Sequence, residues 1–475
     1  MRGQGLARLR LQTILAIAAL GTIFTARVQA ASPEPDVDAA FRERVDRAAA
    51  EVLAATGTPS ASVAIVKDGK IAYVKAYGDA KLSPRVPASP EMRYSIGSNS
   101  KQFTATGILM LAEEGKLSLD DPVGKFVPGL TRGNEVTIRQ ILSHTSGYQD
   151  YWPQDYVPPF MLEPTTAQAI LDRWAKKPLD FEPGTQYQYS NTGYVLAGVI
   201  LEKASGKPLL TFLAERIFRP LAMASVANID EAKLGDTDPA AYLRYALGPP
   251  RIAPKEGKGW LFAAGELAMT AEDLARWNVA MLRQKLLKPE SYRQQQREVL
   301  RKDGLGIAYG LGVEVLARNG HRLLAHGGEV SGFTAANLVF PDDGVAVTVL
   351  VNQDSIDTSG DLAGKIADLL LVRGGAEPAE ARARRLLEGL QAGKLDRSEL
   401  TANASSYFTE QAVADFAASL GPLGAASSVK QTRSNERGGM TFRLFEVKFP
   451  QKKVAIWERD MPDGKVEQFQ VMATN

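Results

Sequence analysis

The chain contains no cysteine. That removes disulfide frameworks, thiolate metal sites and lipoprotein acylation from consideration. Histidine is almost as scarce. His144, His321 and His326 are the only three in 475 residues, which disfavours a histidine-built metal site. No cofactor is expected, and non-metal chemistry is the reading to pursue. A surplus of one charge sign is also missing: the net charge of +2 gives no reason to expect nucleic acid or an anionic membrane as partner. What is present is an ordinary globular composition, 45% hydrophobic and 23% charged, with length for about two or three domains and ample core.

The first thirty residues stand apart. Arg2, Arg8 and Arg10 precede an apolar run from Leu11 to Ala26, and Val28-Gln29-Ala30 resembles a small-residue cleavage site. This is the plan of a secretory signal peptide with cleavage expected after Ala30. The run is shorter than the ~20 residues of a spanning helix, so a permanent anchor is the lesser reading. An organellar transit peptide is a third option, because acidic residues are absent from this segment. The expectation is a secreted or periplasmic protein with no stable membrane anchor after cleavage.

Helical spacing from Val37 to Ala55 leads into two β-rich runs, Ser60 to Val66 and Ile71 to Tyr77, joined through Asp68-Gly69, a hairpin signal. Helices and Pro/Gly-rich loops fill the middle, including a Tyr/Trp/Pro-rich loop from Gln149. Alternation returns at Tyr309 to Leu316, Arg322 to His326, Ala335 to Phe340 and Val345 to Asn352. Strands so few at each end make one antiparallel sheet the economical solution, flanked by helices. The predicted fold is α+β, an α/β sandwich with an inserted all-α lobe over about 111–287. The predicted division is a signal peptide (1–30), a main domain (31–373) and a small α+β accessory domain (374–475). The accessory domain carries no recognisable chemical motif.

Three short pieces carry chemistry. Ser98 and Lys101 stand three apart where Gly97 ends an extended segment and a helical pattern begins, so hydroxyl and amine share a face about one turn apart. A serine hydroxyl needs a base, and a lysine can be one when burial or charge lowers its pKa. The helix N-terminus adds free N–H groups for an oxyanion. A second Ser-x-x-Lys match, Ser427 to Lys430, leads into a probable strand, where i and i+3 face opposite sides, and is set aside. Tyr189-Ser190-Asn191 offers a phenol for proton relay and an amide for a substrate carbonyl or amide. His326-Gly327-Gly328-Glu329 ends a strand-like run, and its glycines let backbone approach a ligand closely; in this setting His326 is read as a candidate catalytic residue rather than a structural one. His144 reads as a loop-fixing residue and His321 as a surface turn residue.

Together, in this order, these pieces resemble the serine β-lactamase and penicillin-binding-protein superfamily, and more closely its class C β-lactamase-like branch of esterases, D-amino-acid peptidases and carboxypeptidases. The second motif takes the Tyr-x-Asn form, and His-Gly-Gly stands in place of Lys-Thr-Gly. Flanking stretches Glu113 to Pro122, Leu142 to Gly147 and Ala263 to Leu267 look similar as well. The resemblance covers about residues 40 to 372. It implies that Ser98 forms an acyl-enzyme and that Lys101 and Tyr189 share base and acid duty, with the first base left open between them. It implies further that Asn191 orients the substrate amide, that Gly327 and Gly328 line the substrate site, and that the N–H groups of Ser98 and Glu329 form the oxyanion hole.

The departure at His326 matters, because a lysine there would be a fixed cation suited to a carboxylate, whereas a histidine near pH 7 is mostly neutral. Weak or absent β-lactamase activity is expected, with esters, or peptides having an uncharged or amine-bearing end, as likelier substrates. Two alternatives stand beside this reading: a D-Ala-D-Ala carboxypeptidase or true β-lactamase acting on cell-wall-derived material, and a non-catalytic protein that binds peptide or muropeptide fragments. The sequence carries no signal for oligomeric state.

Overall fold

The structure is a computed structural model that describes residues 37–474 except 233, 235–236, 355, 372–378, 438–439 and 462–463. The predicted leader and the composition change at 373–378 lie outside the described residues. Among the described residues no helix is long and apolar enough to cross a membrane.

Helix α1 (Ala39–Thr56) starts where the Asp38 side chain accepts the Phe41 N–H, and it stops at Gly57, whose φ of +66° suits the left-handed cap. Strands β1 (Ser60–Lys67) and β2 (Lys70–Leu82) follow. Asp68 and Gly69 between them both have positive φ, 52° and 67°, the geometry of a tight primed turn. Strand β3 (Arg85–Pro87) extends that edge. After a long intervening segment come β4 (Glu314–Arg318), β5 (His321–Val330), β6 (Phe333–Phe340) and β7 (Val345–Val351). The seven strands form one sheet in the order β3-β2-β1-β7-β6-β5-β4, with antiparallel neighbours throughout. Both ends of the main unit therefore meet at its centre, where Ala64 pairs with Thr348.

Both faces of β1 and β7 are buried. Val63, Ile65, Val347 and Val349 point to one face, where α1 and the helix Thr358–Leu371 cover them. Ala64, Val66, Ala346 and Leu350 point to the other. On that second face packs α4 (Ala271–Leu282), whose Trp277 meets Phe103 of the helix that follows Ser98, α2 (Ser100–Glu113); α3 (Asn191–Ser205) packs on α2 in turn, with Leu196 in the same core. One polar cluster is closed within this core: Asn278 Nδ2 donates to Asn337 Oδ1 (2.7 Å) and Thr348 Oγ1 (3.0 Å), and Asn337 Nδ2 returns a bond to Asn278 Oδ1 (2.8 Å).

The middle segment is mainly helical, but it also holds short strands. Leu267–Met269 pairs with Tyr94–Ser95 and with Ala227–Asn228, and Tyr242–Leu243 pairs with Arg251–Ile252. Pairings two residues long have no alternation to read, so periodicity misses them. The expected strand from Tyr309 begins only at Glu314. Gly312, with φ of +78°, turns the chain there against α2; a Cβ at this position would stand 3.0 Å from the Lys101 carbonyl.

From Ala379 the chain builds a third apolar core. Helices α6 (Ala379–Gln391) and α7 (Glu410–Leu420), counting Thr358–Leu371 as α5, pack on an antiparallel sheet of β8 (Ser428–Arg437), β9 (Met440–Lys448), β10 (Lys453–Asp460) and β11 (Val466–Ala473). Leu387, Phe445, Ile456 and Phe469 fill it. Arg382 reaches both Glu458 and Asp460 at 2.6 Å, so these buried carboxylates are paired. The second Ser-x-x-Lys match lies here, with Ser427 Oγ donating to the Lys448 carbonyl at 2.9 Å and Lys430 on β8.

The closed asparagine cluster gives a stability test. Asn278→Leu should cost about 2–3 kcal/mol because Asn337 and Thr348 keep buried polar atoms without their partner. Urea unfolding monitored by far-UV circular dichroism should show this loss. Replacing all three (Asn278→Leu, Asn337→Leu, Thr348→Val) should cost less than the sum of the single changes; strict additivity would show that the three do not act as a unit.

Candidate active site

Ser98 lies in a single 3-10 turn, Gly97–Asn99, immediately ahead of α2. The turn exists because two backbones touch. A Cβ on Gly328 would stand 1.9 Å from the Ile96 carbonyl oxygen, and a Cβ on Gly97 would stand 2.7 Å from the Glu329 nitrogen. Both positions therefore require glycine, and Gly97 also takes a φ of +50°. The close approach sets the Glu329 amide beside the turn that carries Ser98.

Lys101, one helical turn on, is fully buried at 0% exposure. Its Nζ lies 2.8 Å from Ser98 Oγ, 2.7 Å from Asn191 Oδ1 and 2.9 Å from the Ala264 carbonyl. Burial pushes its pKa down to about 7, against an opposing pull from the negative charge of Asp150. In the charged state three N–H groups meet three oxygens. Once neutral, the amine can keep N–H bonds to the two carbonyl-type oxygens and turn its lone pair to accept a hydrogen bond from the Ser98 hydroxyl. The nitrogen also stands 4.9 Å from the Tyr189 ring centroid and 5.4 Å from that of Tyr194.

Tyr189 hydrogen-bonds to Ser98, and burial holds its phenol well above the usual range. It arrives on an extended segment that His144 secures. The Ser190 N–H donates to His144 Nδ1 at 3.0 Å, and the Tyr189 and His144 rings stack at 4.1 Å. His144 is thus the loop-fixing residue its glycine- and serine-rich setting suggested. Asn191 is the first residue of α3, with Ser190 as N-cap. Its amide is held at both ends, Oδ1 by Lys101 and Nδ2 by Asp150 Oδ2 at 3.2 Å, which leaves one acceptor site and one N–H for any substrate contact.

His326 is buried on β5. Its Nδ1 lies 2.6 Å from the Gly327 carbonyl and its Nε2 2.8 Å from the Tyr309 hydroxyl. A carbonyl only accepts, so Nδ1 carries the proton and Nε2 accepts from Tyr309. Burial, and then the charge of Lys101, drive the imidazole pKa down to about 3, so the ring is neutral at pH 7. His321, by contrast, sits at the start of β5 with Nδ1 2.8 Å from Asp343.

Ser98, Tyr189, Asn191, His326, Gly327, Gly328 and Glu329 all line one cavity of about 1170 Å³, with Lys101 directly beneath Ser98. The loop from Asp150 to Val157 forms one wall. Among the described residues no group of His, Asp and Glu is placed to hold a metal ion. Sequence reasoning missed two residues. Asp150 Oδ1 accepts the N–H groups of Asn191 (3.0 Å) and Trp152 (3.2 Å), so it fixes Asn191 relative to Lys101. Tyr309 holds the other ring nitrogen of His326 through its hydroxyl (2.8 Å). Neither sits in a motif; the only available signal for Asp150 was an acidic residue amid aromatic ones.

A family model described as Beta-lactamase matches residues 38–371. Protein flp of Staphylococcus aureus (strain N315) is 27% identical over 326 residues, covering 66% of this chain and 64% of that protein. A D-aminopeptidase of Brucella anthropi is 28% identical over 318 residues, covering 66% of this chain and 59% of its own length. The chain thus spans under two thirds of these relatives. Among solved structures, a D-stereospecific amidohydrolase from a Streptomyces species superposes with a TM-score of 0.59 at 27% identity, over 70% of this chain and 99% of that one. An octameric penicillin-binding protein homologue from Pyrococcus abyssi shares the fold, with a TM-score of 0.62 at 22% identity over 91% of this chain and 99% of that one. With the Ser98–Lys101 pair, Tyr189 and the His326 strand gathered on one cavity of this fold, the chain belongs to the Beta-lactamase family.

Proposed function

We propose that this chain is a serine hydrolase that works outside the cytoplasm, through a Ser98 acyl-enzyme, on amides or esters whose ends are uncharged or amine-bearing. The observation that carries the reading is the 2.8 Å contact between Ser98 Oγ and a buried Lys101 whose pKa lies at about 7. A binding protein has no use for such a nucleophile–base pair.

In the first half-reaction neutral Lys101 takes the Ser98 proton as Oγ attacks the substrate carbonyl carbon. The tetrahedral oxyanion faces the N–H groups of Ser98 and Glu329. Tyr189, kept as a neutral phenol by burial, hands its proton to the departing amine or alkoxide, and the proton that Lys101 took from Ser98 returns to the tyrosine oxygen, so that both residues end the half-reaction neutral. Water then attacks the ester carbonyl, gives its proton to the same pair, and Ser98 leaves with a proton returned to Oγ. The electrostatics favour Lys101 over Tyr189 as the first base, since a phenolate here would be the costlier species.

The neutral His326 argues against substrates anchored by a carboxylate, because no cation stands at that place in the third motif. Arg244 also lines the cavity, but its guanidinium donates to the carbonyls of Thr56 (3.2 Å) and Gly57 (2.9 Å). The D-aminopeptidase and amidohydrolase relatives support an amide substrate. We read the third core, from Ala379 on, as an accessory module of this hydrolase.

Intact-mass spectrometry after exposure to a fluorophosphonate should show one adduct, absent in Ser98→Ala, together with turnover of a short-chain p-nitrophenyl ester and no stable benzylpenicillin adduct. A penicillin acyl-enzyme would favour the cell-wall reading, and failure of every probe would leave the binding-protein reading.

The pH profile follows from Lys101. Its protonated form cannot accept the Ser98 proton, so kcat/KM for an uncharged ester should rise with pH through about 7. Because the Asp150 charge holds the lysine pKa up, Asp150→Asn should move this limb to lower pH. A limb that stays put or moves upward would rule out that electrostatic link. Lys101→Met should lower kcat by about 10³-fold or more.

A further inference from the structure

The cavity carries several carboxylates, and all but one are accounted for. Asp150 holds Asn191 and Trp152, Asp354 accepts the Gly332 N–H (2.8 Å), and Asp357 accepts the Gly360 N–H (2.9 Å). Glu329 is engaged as well, and Asp155 is exposed to solvent. Glu314 differs from these. It lines the cavity and is half-buried. Among the described residues its carboxylate has no hydrogen-bond or ion-pair partner.

Its position is set by the sheet. Glu314 opens β4 opposite Ala325, the residue before His326, and it bridges to Tyr309. It is close enough to Tyr187 for its charge to raise that phenol's pKa, and the rings of Tyr187 and Tyr309 lie 6.0 Å apart. A partly desolvated carboxylate beside aromatic rings is an environment for an organic cation, which gains from the charge and from the ring faces together. Burial without a partner raises the Glu314 pKa, and a bound cation would relieve that cost. The neighbouring imidazole is uncharged, so nothing at His326 competes for the carboxylate.

We propose that Glu314 is a specificity-determining residue that binds an ammonium or guanidinium group of the substrate, so that amine-bearing amides and esters are preferred over their neutral counterparts. The proposal rests on the hydrolase reading for its consequence in turnover, but the binding event does not require catalysis. It can therefore be tested in the full chain carrying Ser98→Ala.

The probes are phenylalaninamide, in each enantiomer, and 3-phenylpropionamide, which lacks only the amine. Calorimetric titration should show at least one phenylalaninamide enantiomer binding about tenfold more tightly than the neutral amide. Adding Glu314→Gln should remove that difference while leaving 3-phenylpropionamide unchanged. In the active enzyme the same substitution should raise KM for the matching p-nitroanilide of phenylalanine about tenfold, with turnover of a neutral p-nitrophenyl ester unaltered; that neutral substrate also shows that the variant is folded. Equal affinity for amine and neutral probes in the Ser98→Ala protein, or a preference that survives Glu314→Gln, would overturn the proposal. Loss of all ester turnover and of any Ser98 adduct in the wild-type protein would instead overturn the hydrolase reading, with the calorimetric result standing by itself.

Discussion

The site depends on one buried amine. Lys101 has no exposed surface, and an ammonium there is stable only if oxygens surround it. Those oxygens come from distant parts of the chain: the hydroxyl of Ser98, the amide of Asn191 and the carbonyl of Ala264. Each has support behind it. Asp150 orients Asn191, and the turn that presents Ala264 begins at Phe262, held at a φ of +32°, the kind of backbone strain that survives only where surroundings over-determine it. Meeting the solvation needs of one side chain thus assembles most of the catalytic geometry.

A second constraint acts on backbone alone. Gly97 and Gly328 let the nucleophile turn and the β5 strand approach more closely than any side chain would permit. This contact ties the helical layer to the sheet where two amide groups are needed. It also carries His326 into the interior, where burial and the nearby lysine deprive it of charge. The third motif thus presents no charge to the cavity, and Glu314, without a partner among the described residues, gives the adjoining wall a negative polarity.

The parts legible in sequence were those specified within a few residues. Ser98 and Lys101 declared themselves by helical spacing, the first hairpin by two β-rich runs joined through Asp68-Gly69, and the later strands by alternation. Tyr189 to Asn191 and His326 to Glu329 were legible as motifs, though nothing local linked them to Ser98. Asp150 and Tyr309 escaped because each acts through a partner at least 17 positions away. The strand expected from Tyr309 was displaced because Gly312 turns the chain against α2, a demand of packing rather than of propensity. Pairings two residues long, such as Tyr94–Ser95 with Leu267–Met269, left no periodic trace.

The amino-acid sequence by itself determined the long elements, their apolar faces and the residue types at the three motifs, since turn chemistry and side-chain period act locally. Only the tertiary structure decided the charge states on which the chemistry rests: a lysine brought down to about 7, a histidine to about 3, and a tyrosine kept neutral. These states arise from desolvation by residues far apart in the chain. Burial of a titratable group is a property of the packed molecule, and no short stretch of sequence contains it.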